Sequence, residues 1–157
     1  MTFKNWRSWA CFLFLASLAA ASVGATDVGL ARAQVAQQNS SPVEFITAEE
    51  LKAKLAKKEP VAIIDVRGTS GALDDKIKGA VFVKLRRLKY RLSFPPLKDV
   101  PKNREVVTYC ACPHDESSVA AAQILRESGF TRVRVLKGGW VVWKKANGQI
   151  EPMARGM

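Results

Sequence analysis

The chain predicts an α/β fold in which a parallel sheet is covered by helices on both faces. Three observations carry this reading. Short β-branched runs recur at residues 61–66, 106–109 and 133–136. Segments with helical spacing and terminal capping residues alternate with them, at 48–58, 117–128 and 140–146. The run 61–66 is apolar except for Asp65, the pattern of a strand buried on both faces rather than one.

With 157 residues, 48% hydrophobic and 25% charged, the composition is that of one ordinary globular domain. Residues 1–33 stand apart. Lys4 and Arg7 precede an apolar stretch at 9–23, and small residues follow at Val23-Gly24-Ala25 and Ala31-Arg32-Ala33, as at signal-peptide cleavage sites. This predicts an exported protein, periplasmic if bacterial, with an uncleaved membrane anchor as the alternative. Cys11 leaves with the signal. Residues 1–33 hold Lys4, Arg7, Arg32 and Asp27, so the remainder keeps a net charge of about +9, two below the +11 of the whole chain. Such a balance suits nucleic acid, an anionic surface or small anions, and export argues against nucleic acid. The densest cluster, Lys84-Leu85-Arg86-Arg87-Leu88-Lys89-Tyr90-Arg91, reads as a solvated face with its apolar side tucked inward. A docking surface for an acidic protein partner or a membrane is the alternative.

Taken in order, residues 34–42 are a polar, mobile tether closed by Pro42. Thr47-Ala48-Glu49-Glu50 is a capping box opening a helix over 48–58. The strand 61–66 comes next, then a loop at 67–71. Ile77-Lys78-Gly79-Ala80 leads into a short strand at 81–83, and the basic cluster and Phe94-Pro95-Pro96 form a helix or turn and a surface loop. The central strand occupies 106–109. Ser117 or Ser118 offers an N-cap for the Ala-rich helix to 128, which Gly129 terminates. A strand at 133–136, a tight Gly138-Gly139 turn and a last helix at 140–146 complete a domain over 43–151, with 152–157 as a tail. Trp140 and Trp143 are expected to pack that helix on the sheet.

The chemistry concentrates between the central strand and its helix, in Cys110-Ala111-Cys112-Pro113-His114-Asp115-Glu116-Ser117-Ser118. A helix start presents unpaired N–H groups and a partial positive charge. A cysteine in front of it has its thiolate stabilised and can act as a nucleophile at an anion-binding cup. His114, the one histidine, reads as an exposed loop side chain, with a base or donor role as the alternative.

Ile63-Ile64-Asp65-Val66-Arg67, Ile77-Lys78-Gly79-Ala80, Val106-Val107-Thr108-Tyr109-Cys110, residues 117–125 and Val133-Arg134-Val135-Leu136-Lys137-Gly138-Gly139-Trp140 with Trp143 resemble the rhodanese-like sulfurtransferase domain in order and spacing. The resemblance spans about 43–151. It implies a three-layer fold with a five-stranded, mainly parallel sheet between helices, and a monomer that needs no cofactor. A loop cysteine would take a sulfane sulfur from a small anionic or thiol donor, such as thiosulfate, and pass it as a persulfide to a thiol or cyanide. Asp65 and Arg67 match the family's Asp-x-Arg pair, a structural tie with a pocket role as the alternative. Lys76 and Lys78 replace the His and Pro usual beside Gly79-Ala80, so that turn is expected to be held differently.

Two thiols match the nucleophile's place. Cys110 directly follows the strand, as in the family, and leaves the loop to Ser117 longer by two residues; Cys112 restores the usual loop. Because loops accept insertions more readily than strands, and because Pro113 removes an N–H donor beside Cys112, the count favours Cys110. The other cysteine is then a resolving thiol or a bystander. Asp115 and Glu116 are expected to raise the thiol pKa and repel an anionic donor, which disfavours thiosulfate. A phosphatase on this scaffold needs an Arg six residues after its cysteine, where this chain has Glu116 or Ser118. Two alternatives to transfer remain: a non-catalytic binding module, and a soft-metal or redox site on Cys110, Cys112 and His114, which leaves a metal short of ligands.

Overall fold

A computed structural model describes residues 42–68 and 74–153. The expected signal segment, most of the expected tether and residues 154–157 lie outside the described residues, as do residues 69–71 of the first loop. The described residues form seven strands and four helices: β1 (Glu44–Ile46), α1 (Ala48–Ala56), β2 (Val61–Asp65), β3 (Asp75–Ile77), β4 (Val81–Phe82), α2 (Leu88–Arg91), β5 (Glu105–Tyr109), α3 (Glu116–Glu127), β6 (Arg132–Leu136), α4 (Gly139–Lys145) and β7 (Ile150–Pro152). Single 3-10 turns lie at Leu85–Arg87 and Leu97–Asp99.

Five strands form one sheet in the order β1-β6-β5-β2-β4, every pairing parallel. The expected α/β architecture with a five-stranded sheet is therefore present. The β-branched runs sit at its centre, where Ile63 pairs with Val107 and Val107 with Arg134. Side-chain alternation along β5 divides the core in two. Val106 and Cys110 pack on one face with Ile64, Ala121, Leu125 and Val133, beneath α3. Val107 and Tyr109 pack on the other with Ile46, Leu51, Ile63 and Trp143, beneath α1 and α4. Trp143 is fully buried and its indole N–H donates to the Gln149 carbonyl at 3.1 Å, so the aromatic end of α4 is core as expected.

Departures from the sequence reading are local. β1, three residues long, is too short to leave a periodic signal, yet it closes the sheet edge beside β6. β3 and β7 form a separate antiparallel pair, which brings Pro152 out of the expected tail and into a strand. Lys76 holds the turn after β3, its ammonium donating to the Ala80 carbonyl at 2.6 Å and pairing with Glu151 of β7. α3 begins at Glu116, and its N-cap is Asp115 in a left-handed conformation (φ 58°) rather than Ser117 or Ser118. Asp tolerates that conformation, and the loop needs it to turn from strand to helix.

α1 opens as expected, with the Thr47 hydroxyl accepting from the Glu50 N–H at 3.1 Å. At the N-terminal end of the sheet Glu105 is buried and paired with Lys54 at 3.1 Å, Arg132 at 3.3 Å and Arg134 at 3.5 Å. No described helix is long and apolar enough to cross a membrane.

Candidate active site

The loop 110–115 leaves the C-terminal end of β5, the central strand, and enters α3. This is where an open parallel sheet places its crevice. Cys110 continues the strand's alternation, so its side chain follows Val106 into the core and its exposure is 0%. Its carbonyl accepts from the Trp140 N–H at 2.8 Å, tying the loop to the start of α4. Burial pushes the Cys110 thiol up, against the opposing pull of Ser118 and the Cys112 N–H, which points at its sulfur at 3.3 Å. Apart from that thiol, the buried Ser118 hydroxyl has no partner among the described residues.

Cys112 is half-buried and differs in every respect. Its sulfur lies 3.1 Å from the Ser117 hydroxyl in the first turn of α3. The Ser117 hydroxyl, and after it the Cys110 thiol and the Ser117 N–H, hold its pKa below the ordinary thiol range, against partial burial and a small opposing effect of Glu116. The counting that favours Cys110 thus meets a sulfur closed off from solvent. The thiol at the helix end, ionisable and reachable, is Cys112.

Asp115 also lies where the local sequence does not foretell. It is buried, and its carboxylate accepts from the Gly138 N–H at 2.8 Å, across the loop from the sulfur. It therefore braces the Gly138-Gly139 turn, while the expected upward push on a thiol comes from Glu116, on Cys112, and is outweighed by Ser117. Glu116 is exposed at the first position of α3. Ala111, Pro113 and His114 are exposed on the loop. The structure does not gather Cys110, Cys112 and His114 into a ligand set: among the described residues no three His, Cys, Asp or Glu side chains converge as a metal site.

Beneath the loop lies a buried cluster. Asp65, at 0% exposure, accepts from the Arg67 backbone N–H and Nε at 3.0 Å, from Arg67 Nη2 at 2.6 Å and from the Tyr109 hydroxyl at 2.7 Å. Arg67 also donates to the Asp75 carbonyl at 2.6 Å, and its guanidinium lies 4.3 Å from the centre of the Trp140 ring. Burial and the Asp65 carboxylate hold Tyr109 protonated far above the usual phenol range. The cluster ties β2, β3, β5 and α4 together below the cysteine loop. Tyr109 and Trp140 belong to it without a signal in their local sequence.

A cleft of about 360 Å³ opens beside the loop, lined by Val66, Arg67, Gly68, Lys84, Leu85, Arg86 and Ser117. On the other side of the loop the Gly138-Gly139 turn packs closely. A Cβ built on Gly139 (φ 48°) would stand 2.1 Å from the Cys110 carbonyl oxygen. Gly139→Ala is expected to cost at least about 2 kcal/mol, from the left-handed backbone and the collision together. Urea unfolding measures it, and an unchanged midpoint would show that the loop has room to move.

Against known families, the family model described as Rhodanese-like domain matches residues 47–146. A sulfurtransferase of Allochromatium vinosum is 30% identical over 103 residues, covering 66% of this chain and 90% of that protein. The thiosulfate sulfurtransferase GlpE of Coxiella burnetii is 33% identical over 91 residues, 58% of this chain and 78% of the relative. Among solved structures, the rhodanese-like domain of the Alr3790 protein from Anabaena sp. aligns with a TM-score of 0.60 at 32% identity, over 73% of this chain and 85% of that one.

Proposed function

The chain belongs to the rhodanese-like domain family, and from that premise we propose that it is a sulfurtransferase whose sulfur carrier is Cys112. The observation that carries this reading is half-buried Cys112, whose sulfur is held by the Ser117 hydroxyl at the start of α3 with its pKa lowered. Names of relatives at about 30% identity support the transferase class.

In the proposed cycle the Cys112 thiolate attacks the sulfane sulfur of a donor: thiosulfate, a persulfide or a polysulfide. The new S–S bond forms as the donor's own S–S bond breaks, and the leaving group departs with the electron pair as sulfite, a thiolate or a shortened polysulfide. An acceptor thiolate or cyanide then attacks the outer sulfur and releases the Cys112 thiolate. The backbone N–H groups of the α3 start stabilise the sulfur anion in both steps. Pro113 contributes no such donor, so the load falls on the Ser117 hydroxyl and N–H. The residues 1–33 carry the proposal of an exported, periplasmic location, on the positive start and apolar run.

Intact-mass measurement after exposure to thiosulfate and to a polysulfide tests the chemistry. The expected result is the gain of one sulfur atom, removed again by cyanide with formation of thiocyanate. No gain with either donor would overturn the reading in favour of a non-catalytic binding module.

A further inference from the structure

Lys84 and Arg86 are cations that the rest of the fold leaves unused. Basic side chains around the sheet are committed to carboxylates: Lys54 and Arg134 to Glu105, Lys76 to Glu151, and Arg67 to Asp65. The Lys84 and Arg86 side chains have no ion pair or hydrogen bond among the described residues, and both line the 360 Å³ cleft beside the cysteine loop. Among the described residues no carboxylate lines that cleft. Ser117, whose hydroxyl lies 3.1 Å from the Cys112 sulfur, also lines it, so a molecule seated there is one side chain away from that sulfur.

The local sequence explains why the cations stand on the rim. The 3-10 turn Leu85–Arg87 and α2 are anchored by Leu88, which is fully buried, while Leu85 packs against the core under α3. The alternation of basic and apolar residues in Lys84-Leu85-Arg86 then sends Leu85 inward and leaves the charges around the cleft. Leu85 and Val66 supply an apolar wall between the cations. The volume falls within the range of small-molecule sites, about 300–1,000 Å³. At about 30 Å³ for a water, it is far larger than an inorganic oxyanion needs.

We propose that the cleft between Lys84, Arg86 and Ser117 docks the sulfur donor, and that the donor is an organic persulfide whose carbon skeleton carries carboxylates. Lys84 and Arg86 hold the carboxylates, Leu85 and Val66 meet the skeleton, and the outer sulfur reaches Cys112. The proposal rests on the sulfurtransferase reading and adds a donor class to it. The transfer step is the one already written: the Cys112–S bond forms, the persulfide S–S bond breaks and the parent thiolate leaves.

The test compares sulfur uptake by the full chain from glutathione persulfide and from the persulfide of uncharged 2-mercaptoethanol, for the wild type and for a Lys84→Ala, Arg86→Ala double variant. The expected result is that the variant's preference for glutathione persulfide, as a ratio of kcat/KM values, drops about tenfold, with the loss residing in KM. Raising the salt concentration is expected to erode the same preference in the wild type only. An unchanged ratio in the double variant overturns the docking proposal and leaves the sulfurtransferase reading standing. A wild type that takes sulfur from neither persulfide, nor from thiosulfate or a polysulfide, overturns both.

Discussion

Cys112→Ser is expected to lower the rate of sulfur uptake by a factor of at least about 10³, to the background of the uncatalysed reaction, because a hydroxyl cannot serve as a sulfur nucleophile at neutral pH. Cys110→Ala is expected to keep uptake, at a stability cost of about 1 kcal/mol for the small cavity left under α3. The asymmetry follows from where the two sulfurs lie: Cys110 is closed off at 0% exposure, and Cys112 sits half-buried on Ser117. The Cys110 thiol also helps to lower the Cys112 pKa.

The lowered Cys112 pKa has a pH signature. The lowered folded-state pKa of Cys112 means that its alkylation by iodoacetamide rises to a plateau at a lower pH than that of an ordinary thiol. Ser117→Ala removes the largest stabilising group and is expected to move the midpoint upward, and Cys110→Ala is expected to move it the same way by less. At pH values where the thiol is fully ionised in all three proteins the rates converge, apart from intrinsic nucleophilicity. Uptake that survives in Cys112→Ser and disappears in Cys110→Ala would reverse the assignment.

The largest loss of stability is expected from Asp65→Ala, about 3–5 kcal/mol by urea unfolding. Substitution leaves the Arg67 guanidinium, 4% exposed, without its carboxylate, and leaves the Tyr109 hydroxyl without its acceptor. Desolvation is what makes the loss large: at 4% exposure Arg67 gains little water to replace the missing partner. Tyr109→Phe, which removes the hydrogen bond to Asp65 and the one accepted from the Ile77 N–H but no charge, is expected to cost less, about 2 kcal/mol. A loss below about 1 kcal/mol for Asp65→Ala would mean that the cluster contributes nothing net and that the β2 and β5 pairing alone holds this end of the sheet.

Much of the fold was legible because it depends on near neighbours in the chain. The apolar run 61–66, the capping box at Thr47 and the Ala-rich stretch after residue 117 each announce an element, and each forms where its local pattern places it, within a residue or two at the ends. The ordered set of motifs also pointed to the rhodanese-like family. The placement of Cys110 was readable in principle. A residue two positions beyond Thr108 shares its face, so it belongs to the side of the sheet that α3 covers. Counting forward from the strand puts Cys110 where the family's nucleophile stands, but that count takes no account of the face to which the strand's alternation turns its side chain.

By itself the sequence determined the α/β class, the parallel sheet and the stretch that carries the thiols, because periodicity and capping act over a few residues. The tertiary structure alone decided which sulfur meets solvent, which anion stands near it and which cations line the cleft. Asp115 finds its partner 23 residues away at Gly138, and Tyr109 finds Asp65 at a separation of 44. Such pairings are selected by burial once the sheet has closed. A buried carboxylate must take whichever N–H the packing brings within reach, and that choice has no trace in its neighbours along the chain.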